Sequence, residues 1–184
     1  MIYLLLAEGF EEVEAIAPAD VLRRGGKEVT LVGITGREVT GAHGITVQAD
    51  IIAEEWDFTD TECVILPGGM PGTLNLKQNE KVQACLAYCY ANHRIISAIC
   101  AAPMILGELG LLRGKKAVCF PGYEDSMEEA EYCDEDVVID SNVITARGAG
   151  VALQFGAAIL NVLSENEKGN KILRQMQMSK GFLV

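Results

Sequence analysis

The chain reads as an α/β protein built on an open, doubly wound, mostly parallel sheet with helices on both faces. Three features predict this. Met1–Ala7 is an almost unbroken apolar run, the pattern of a strand covered on both faces. A helical stretch closing at Gly25-Gly26 and a second apolar strand, Glu28–Ile34, follow at the spacing of a βαβ unit, which requires parallel strands. The same strand–helix rhythm returns at Glu62–Leu66 and again at the strand that ends on Cys100.

In order, Glu11, Glu12 and Glu14 suit the first turn of the first helix, because negative charge complements the helix dipole there. That helix should run to Arg24, with a kink or restart at Pro18. Gly36, Gly41 and Gly44 interrupt the next stretch, read as short extended segments forming a hairpin at the sheet edge up to Ile51. The strand Glu62–Leu66 runs into Pro67-Gly68-Gly69, followed by a short helix and a longer one from Asn79 to Ala91. After the Cys100 strand comes a helix from Ala102 to Leu109, then a strand from Lys116 to Phe120. The acidic segment Tyr123–Asp136 reads as a solvated loop. Val137–Asp140 and Val143–Ala146 form a hairpin turning at Ser141-Asn142. Gly148-Ala149-Gly150 opens an apolar helix to Leu163, and an amphipathic helix from Glu167 to Met178 closes the chain. With no repeat or linker, one domain over residues 1–184 is expected.

The 184 residues are 49% hydrophobic and 22% charged, a soluble globular balance. The net charge of -11 disfavours nucleic acid and anionic membrane as partners. No spanning apolar run or leader pattern is present, so the expected location is the cytoplasm. The six cysteines are then expected as thiols. Cys85 and Cys89, four apart on a helix, read as a half-buried face rather than half of a zinc site.

The stretch Arg94–Pro103 carries the chemistry. An apolar strand stops on Cys100, small residues follow, and Pro103 suits a first helical turn. Strand, sharp turn and helix would hold the sulfur up like a nucleophile elbow, and the helix start favours thiolate. A buried structural cysteine would give the same decapeptide, since free cysteine is often buried. Placement separates the two readings. Ligands of doubly wound sheets bind beyond the carboxyl ends of the strands, and Glu14, Gly68-Gly69 and Cys100 all fall on that edge. Gly69 and Ala101 can offer backbone N–H groups to an oxyanion, and Glu14 can carry the proton. Desolvation and the neighbouring thiol should raise the Glu14 pKa, leaving it protonated beside a thiolate. Glu11 and Glu12 are equally available as acids, while His43 and His93 lie outside the expected catalytic edge.

These residues resemble the ThiJ/PfpI family, in the branch of the Parkinson-disease-associated protein deglycase. The likeness runs nearly end to end, through Ala7–Glu14, Asp20–Arg24, Leu66–Gly69, Ala98–Pro103 and Thr145–Gly150. It implies a flavodoxin-like α/β sandwich of the class I glutamine amidotransferase-like kind, usually a homodimer. It makes Cys100 the reactive, easily oxidised cysteine, Glu14 its partner, and Gly69 and Ala101 the oxyanion positions, with no metal or organic cofactor. Some members place a histidine before the proline that follows the next strand; here Phe120 precedes Pro121, so chemistry assigned to that histidine does not carry over. The peptidase-like members need histidine where Ala101 stands, and the amidotransferases need a later His-x-Glu pair that is missing.

The resemblance implies a cysteine-dependent oxidative-stress protein acting on reactive carbonyls, as a glutathione-independent glyoxalase or a deglycase of glycated protein. The alternative is a redox sensor or holdase chaperone in which Cys100 oxidises to a sulfinate without turnover.

Overall fold

The structure, a computed structural model, describes residues 1–179. The end of the domain expected over 1–184, residues 180–184, lies outside them. The elements are β1 (Ile2–Leu6), α1 (Glu12–Arg24), β2 (Val29–Gly33), β3 (Glu38–Thr40), β4 (Thr46–Gln48), β5 (Ile51–Ile52), β6 (Cys63–Leu66), α2 (Gly72–Gln78), α3 (Glu80–Ala91), β7 (Ile95–Ile99), α4 (Pro103–Glu108), β8 (Lys116–Ala117), β9 (Glu131–Tyr132), β10 (Val137–Asp140), β11 (Val143–Ala146), α5 (Ala152–Ser164) and α6 (Lys168–Gln175).

The seven-stranded sheet has the order β10-β11-β7-β6-β1-β2-β5 and is parallel except for β10, which joins as a hairpin arm. From β1 the chain winds outward through β2 to β5, then returns to the other side of β1 with β6. The two winding directions part between β1 and β6, where crevices open beyond the strand ends. Successive side chains of β1 take opposite faces. Tyr3 and Leu5 join one core with Leu76, Val82, Leu86 and Leu106, from α2, α3 and α4. Ile2, Leu4 and Leu6 join another with Leu22, Phe155 and Ile172, from α1, α5 and α6. Double-sided burial explains why the strands read as unbroken apolar runs.

Charge and caps set the helix ends. Glu12 and Glu14 lie in the first turn of α1 and Arg23 and Arg24 in the last. Asn79 caps α3 by accepting from the N–H groups of Lys81 and Val82 at 3.0 and 3.1 Å. Of the kink or restart expected at Pro18, the restart does not occur: α1 runs through it. Gly156 of α5 packs there, where a Cβ would come within 2.7 Å of the Pro18 Cα, so tertiary packing holds the helix that the proline weakens.

Two other expectations change. The segment 37–51 does form a hairpin, but β3 and β4 stand apart as a two-stranded sheet, and only β5 adds to the main sheet. The strand expected from Lys116 to Phe120 is cut to β8, which pairs with β9. Beyond it, Val118 N–H donates to Thr145 Oγ1 and Phe120 N–H donates to the Cys100 carbonyl, at 3.0 and 2.8 Å. The segment spends its backbone bonds crossing the strand ends, and that carries Phe120 to the elbow. Cys85 and Cys89 lie fully buried on the inner face of α3, with their sulfurs 3.9 Å apart.

Candidate active site

Cys100 follows β7 at once and adopts φ +64°, a left-handed conformation costing a non-glycine residue about 1–2 kcal/mol. Two backbone bonds hold it there: its N–H donates to Ala146 O at 2.9 Å, and its carbonyl accepts from Phe120 N–H. The side chain is partly exposed.

Glu14, in the first turn of α1, is fully buried. Its Oε2 accepts from Gly68 N–H at 2.8 Å. Its Oε1 is buried without a conventional hydrogen-bond partner among the described residues, and the Gly68 N–H and then the Cys100 thiol favour the ionised carboxyl. Gly68 is wedged between them: a Cβ there would lie 2.7 Å from both Cys100 Cβ and Glu14 Oε2. Gly69 takes φ +89°, and a Cβ on it would come within 2.4 Å of the Glu11 nitrogen. The N–H groups of Ala101 and Gly69 both act on the Cys100 sulfur. The structure thus gathers Cys100, Glu14, Gly69 and Ala101 at one point.

The electrostatics differ from the low thiol pKa expected of a helix start. Burial, then the charge and hydrogen bonding of Glu14, push the thiol up to about 12, against the pull of the Ala101 and Gly69 N–H groups. A helix terminus contributes about 0.3–1 kcal/mol at an exposed site, too little to offset desolvation beside a carboxylate. Burial likewise lifts Glu14 to about 7, although the Gly68 N–H and the Cys100 thiol favour its ionised form. The thiol is raised further than the carboxyl, so the proton that the pair shares rests on sulfur rather than on Glu14, the reverse of the protonated Glu14 that was expected, and thiolate forms only when that proton crosses to Glu14.

Glu12, which sequence could not separate from solvent-facing acids, is also buried, but it faces away from Cys100. Its Oε1 accepts from the N–H groups of His43 and Ile45 at 2.8 and 3.2 Å, and its Oε2 meets His43 Nδ1 at 2.9 Å. Burial pushes this carboxyl up, but the His43 imidazole and the backbone N–H groups outweigh it and bring it down to about 2. His93 lies in the α3–β7 connection, at the opposite end of the sheet from the elbow.

A half-exposed thiol on a strained elbow, sharing a proton with a buried carboxyl beside a switch point, defines a class of α/β protein with a nucleophile-type cysteine. Sequence and fold then narrow the class: the chain belongs to the DJ-1/PfpI family, whose description matches residues 1–162. It is 32% identical over 179 residues to the Caenorhabditis elegans protein described as glutathione-independent glyoxalase DJR-1.2, covering 96% of this chain and 95% of that one. It is 32% identical over 151 residues to a Pyrococcus abyssi protein described as a deglycase, covering 81% and 90%. The chain spans only 40% and 44% of the length of two Arabidopsis thaliana DJ-1 homologues, to which it is 33% and 35% identical over 97% and 91% of its own length. Among solved structures, Drosophila melanogaster DJ-1beta superposes with a TM-score of 0.91 at 32% identity, covering 97% of each chain. Oxidised Toxoplasma gondii DJ-1 superposes with a TM-score of 0.92 at 30% identity, covering 97% of this chain and 98% of that one. Among the described residues, no helix is long and apolar enough to cross a membrane.

Proposed function

We propose that this chain, as one domain over residues 1–184 in the cytoplasm, is a cysteine-dependent enzyme acting on small reactive carbonyls, of the glutathione-independent glyoxalase or deglycase type. The observation that carries the reading is the Glu14–Cys100 pair: a buried carboxyl with one oxygen unpartnered, lifted to about 7, beside a thiol under two N–H donors. With the shared proton on Glu14, the Cys100 thiolate adds to the aldehyde carbon of methylglyoxal, and the new alkoxide takes up a proton to give a hemithioacetal. Glu14, having given its proton to that alkoxide, removes the hydrogen from the same carbon and returns it to the neighbouring carbon, while the hydroxyl proton of the first carbon passes to the oxygen of the second, which turns the hemithioacetal into a thioester of lactate. Water cleaves the thioester, releasing lactate and restoring the thiol. The N–H groups of Gly69 and Ala101 stabilise the oxyanions along the way. In deglycation the same thiolate attacks early carbonyl adducts on protein side chains.

A second reading has its own support. Phe120, 46% exposed, stands at the elbow where some relatives carry a histidine, so one proton carrier is lacking. Cys100 would then act as a sensor, its sulfinate held by the protonated Glu14 and the same N–H groups. Lactate formation from methylglyoxal without glutathione, measured beside mass spectrometry of Cys100 after mild peroxide, tests both. Turnover lost in Cys100→Ala and reduced about 10²–10⁴-fold in Glu14→Gln is expected of the enzyme. Stoichiometric sulfinate with no turnover would replace the enzyme with the sensor.

The active unit in this reading is a homodimer. Val13, Ile16 and Ala17 on α1, with Ile45 and Leu153, line an open apolar hollow of about 510 Å³. Val13, Ile16 and Ile45 are 50%, 44% and 60% exposed, an arrangement suited to a self-complementary two-fold contact. Val21, further along α1, does not extend this face: it points into the core towards α5 and is fully buried.

A further inference from the structure

We propose that Phe120 sets the substrate specificity of the Cys100 site: its ring, braced by Tyr123, is a wall against which a neutral aryl group on the carbonyl packs, so that the site favours aryl-substituted dicarbonyls. The proposal rests on the carbonyl reading of Cys100 and names a substrate class within it.

Main-chain bonds bring Phe120 to the elbow. Its N–H donates to the Cys100 carbonyl at 2.8 Å, and two residues earlier Val118 N–H donates to Thr145 Oγ1 at 3.0 Å. The end of β11 also holds the thiol residue, since Cys100 N–H donates to Ala146 O at 2.9 Å. Two residues further on, Gly148 lies against the ring: a Cβ there would come within 3.3 Å of Phe120 Cδ2. Phe120 is thus tied to the reacting residue through its backbone, and its ring rests beside the strand end that holds the same residue.

Tyr123 fixes the angle of the ring. The two centroids lie 6.5 Å apart with the planes at 72°, a favourable edge contact. Tyr123 N–H donates to Phe120 O at 3.1 Å, and the half-buried Tyr123 packs on the core that α2, α3 and α4 cover. Phe120 nevertheless stays 46% exposed. Single exposed apolar residues are ordinary on a surface. This one is held by its backbone, by Tyr123 and by Gly148, with its open surface at the elbow. It is not part of the α1–Ile45–Leu153 hollow assigned to the dimer contact.

The chemistry of the wall names the group it takes. A second ring gains from an aromatic neighbour beyond the area it buries, by the equivalent of about 2- to 12-fold in affinity, whereas a methyl group has no such gain. An anionic substituent is disfavoured. Glu124, next to Tyr123, is fixed by accepting from Gly122 N–H at 2.7 Å, and a carboxylate or phosphate beside it meets like charge.

The test is kcat/KM for phenylglyoxal and for methylglyoxal in wild type, Phe120→Ala and Phe120→Tyr. Comparing the ratio of the two constants between proteins cancels the intrinsic reactivity of the substrates. Phe120→Ala should lower the phenylglyoxal-to-methylglyoxal ratio about 2- to 12-fold, and Phe120→Tyr, which keeps the ring, should hold it near wild type. A purely structural role would lower both constants together. Should Phe120→Ala unfold by circular dichroism, Phe120→Leu, which keeps apolar bulk without a ring, decides in its place. An unchanged ratio in the ringless variant, or a ratio that falls equally in Phe120→Tyr, would overturn the assignment. Absence of turnover with both glyoxals would instead defeat the carbonyl reading. The wall is then read from the rates at which N-benzyliodoacetamide and iodoacetamide alkylate Cys100, followed by mass spectrometry: a benzyl preference lost in Phe120→Ala supports it, and no such preference removes it.

Discussion

Burying Glu14 has a measurable cost in stability, and Glu14→Gln isolates it. The carboxyl ionises near 4.5 in the unfolded chain and near 7 in the folded protein. Between those values the folded state holds more protons, so rising pH favours unfolding; below both values and above both values the contribution is flat. The interval, at 1.36 kcal/mol per pH unit, corresponds to ~3 kcal/mol. Glutamine has nearly the same shape, can accept from Gly68 N–H and never ionises. Wild type should therefore lose ~3 kcal/mol relative to Glu14→Gln on crossing this range, about three quarters of it between about pH 5 and about pH 8. Urea denaturation of both proteins across that range measures the difference. Other titrating groups, including Glu12 and His43, are common to both chains and cancel. A stability difference that stays constant over the range, or that moves in favour of wild type as pH rises, would refute the buried, proton-sharing Glu14 on which the proposed chemistry rests.

Three further outcomes follow from the geometry. Cys100→Gly should raise stability by about 1 kcal/mol, since glycine adopts φ +64° without strain, while abolishing carbonyl turnover; thermal or urea unfolding that shows destabilisation would contradict the strain. Gly68→Ala should push the thiol and Glu14 Oε2 apart, lowering turnover and costing about 1–3 kcal/mol by overpacking, as activity assays and denaturation would show. Ile16→Glu should leave the fold intact by circular dichroism but give only monomer in sedimentation at micromolar concentration, whereas an unchanged dimer would move the contact elsewhere.

What the sequence disclosed depended on the range of the physics. The strands were legible because burial on both faces writes an unbroken apolar run, as in Ile2–Leu6 and Cys63–Leu66. The elbow was legible because strand, small residues and Pro103 are contiguous. The partners of Glu12 were not: its bond to His43 joins residues 31 apart, and nothing local separates Glu11, Glu12 and Glu14 by what they face. Only the folded helix start sends Glu14 to Cys100 and Glu12 to the hairpin. The thiol pKa was misjudged for a related reason. A helix start can be seen in sequence, whereas the burial that outweighs it is set in the fold, where Gly68 and Glu14 close on the Cys100 side chain. The shortened β8 has a similar origin, since its missing residues bond to Thr145 and Cys100 rather than to a neighbouring strand.

The way residue 100 is fastened has an implication for how this site can change. Its amide is tied to Ala146 and its carbonyl to Phe120, so main-chain atoms alone fix where the side chain begins. A serine or selenocysteine at this position would be delivered to the same place, under the same Gly69 and Ala101 donors and beside the same carboxyl. The reacting atom is in that sense interchangeable while its mounting stays put. Sequence drift could exchange one reactivity for another here without rebuilding the sheet, and a chemist could do the same with a single codon.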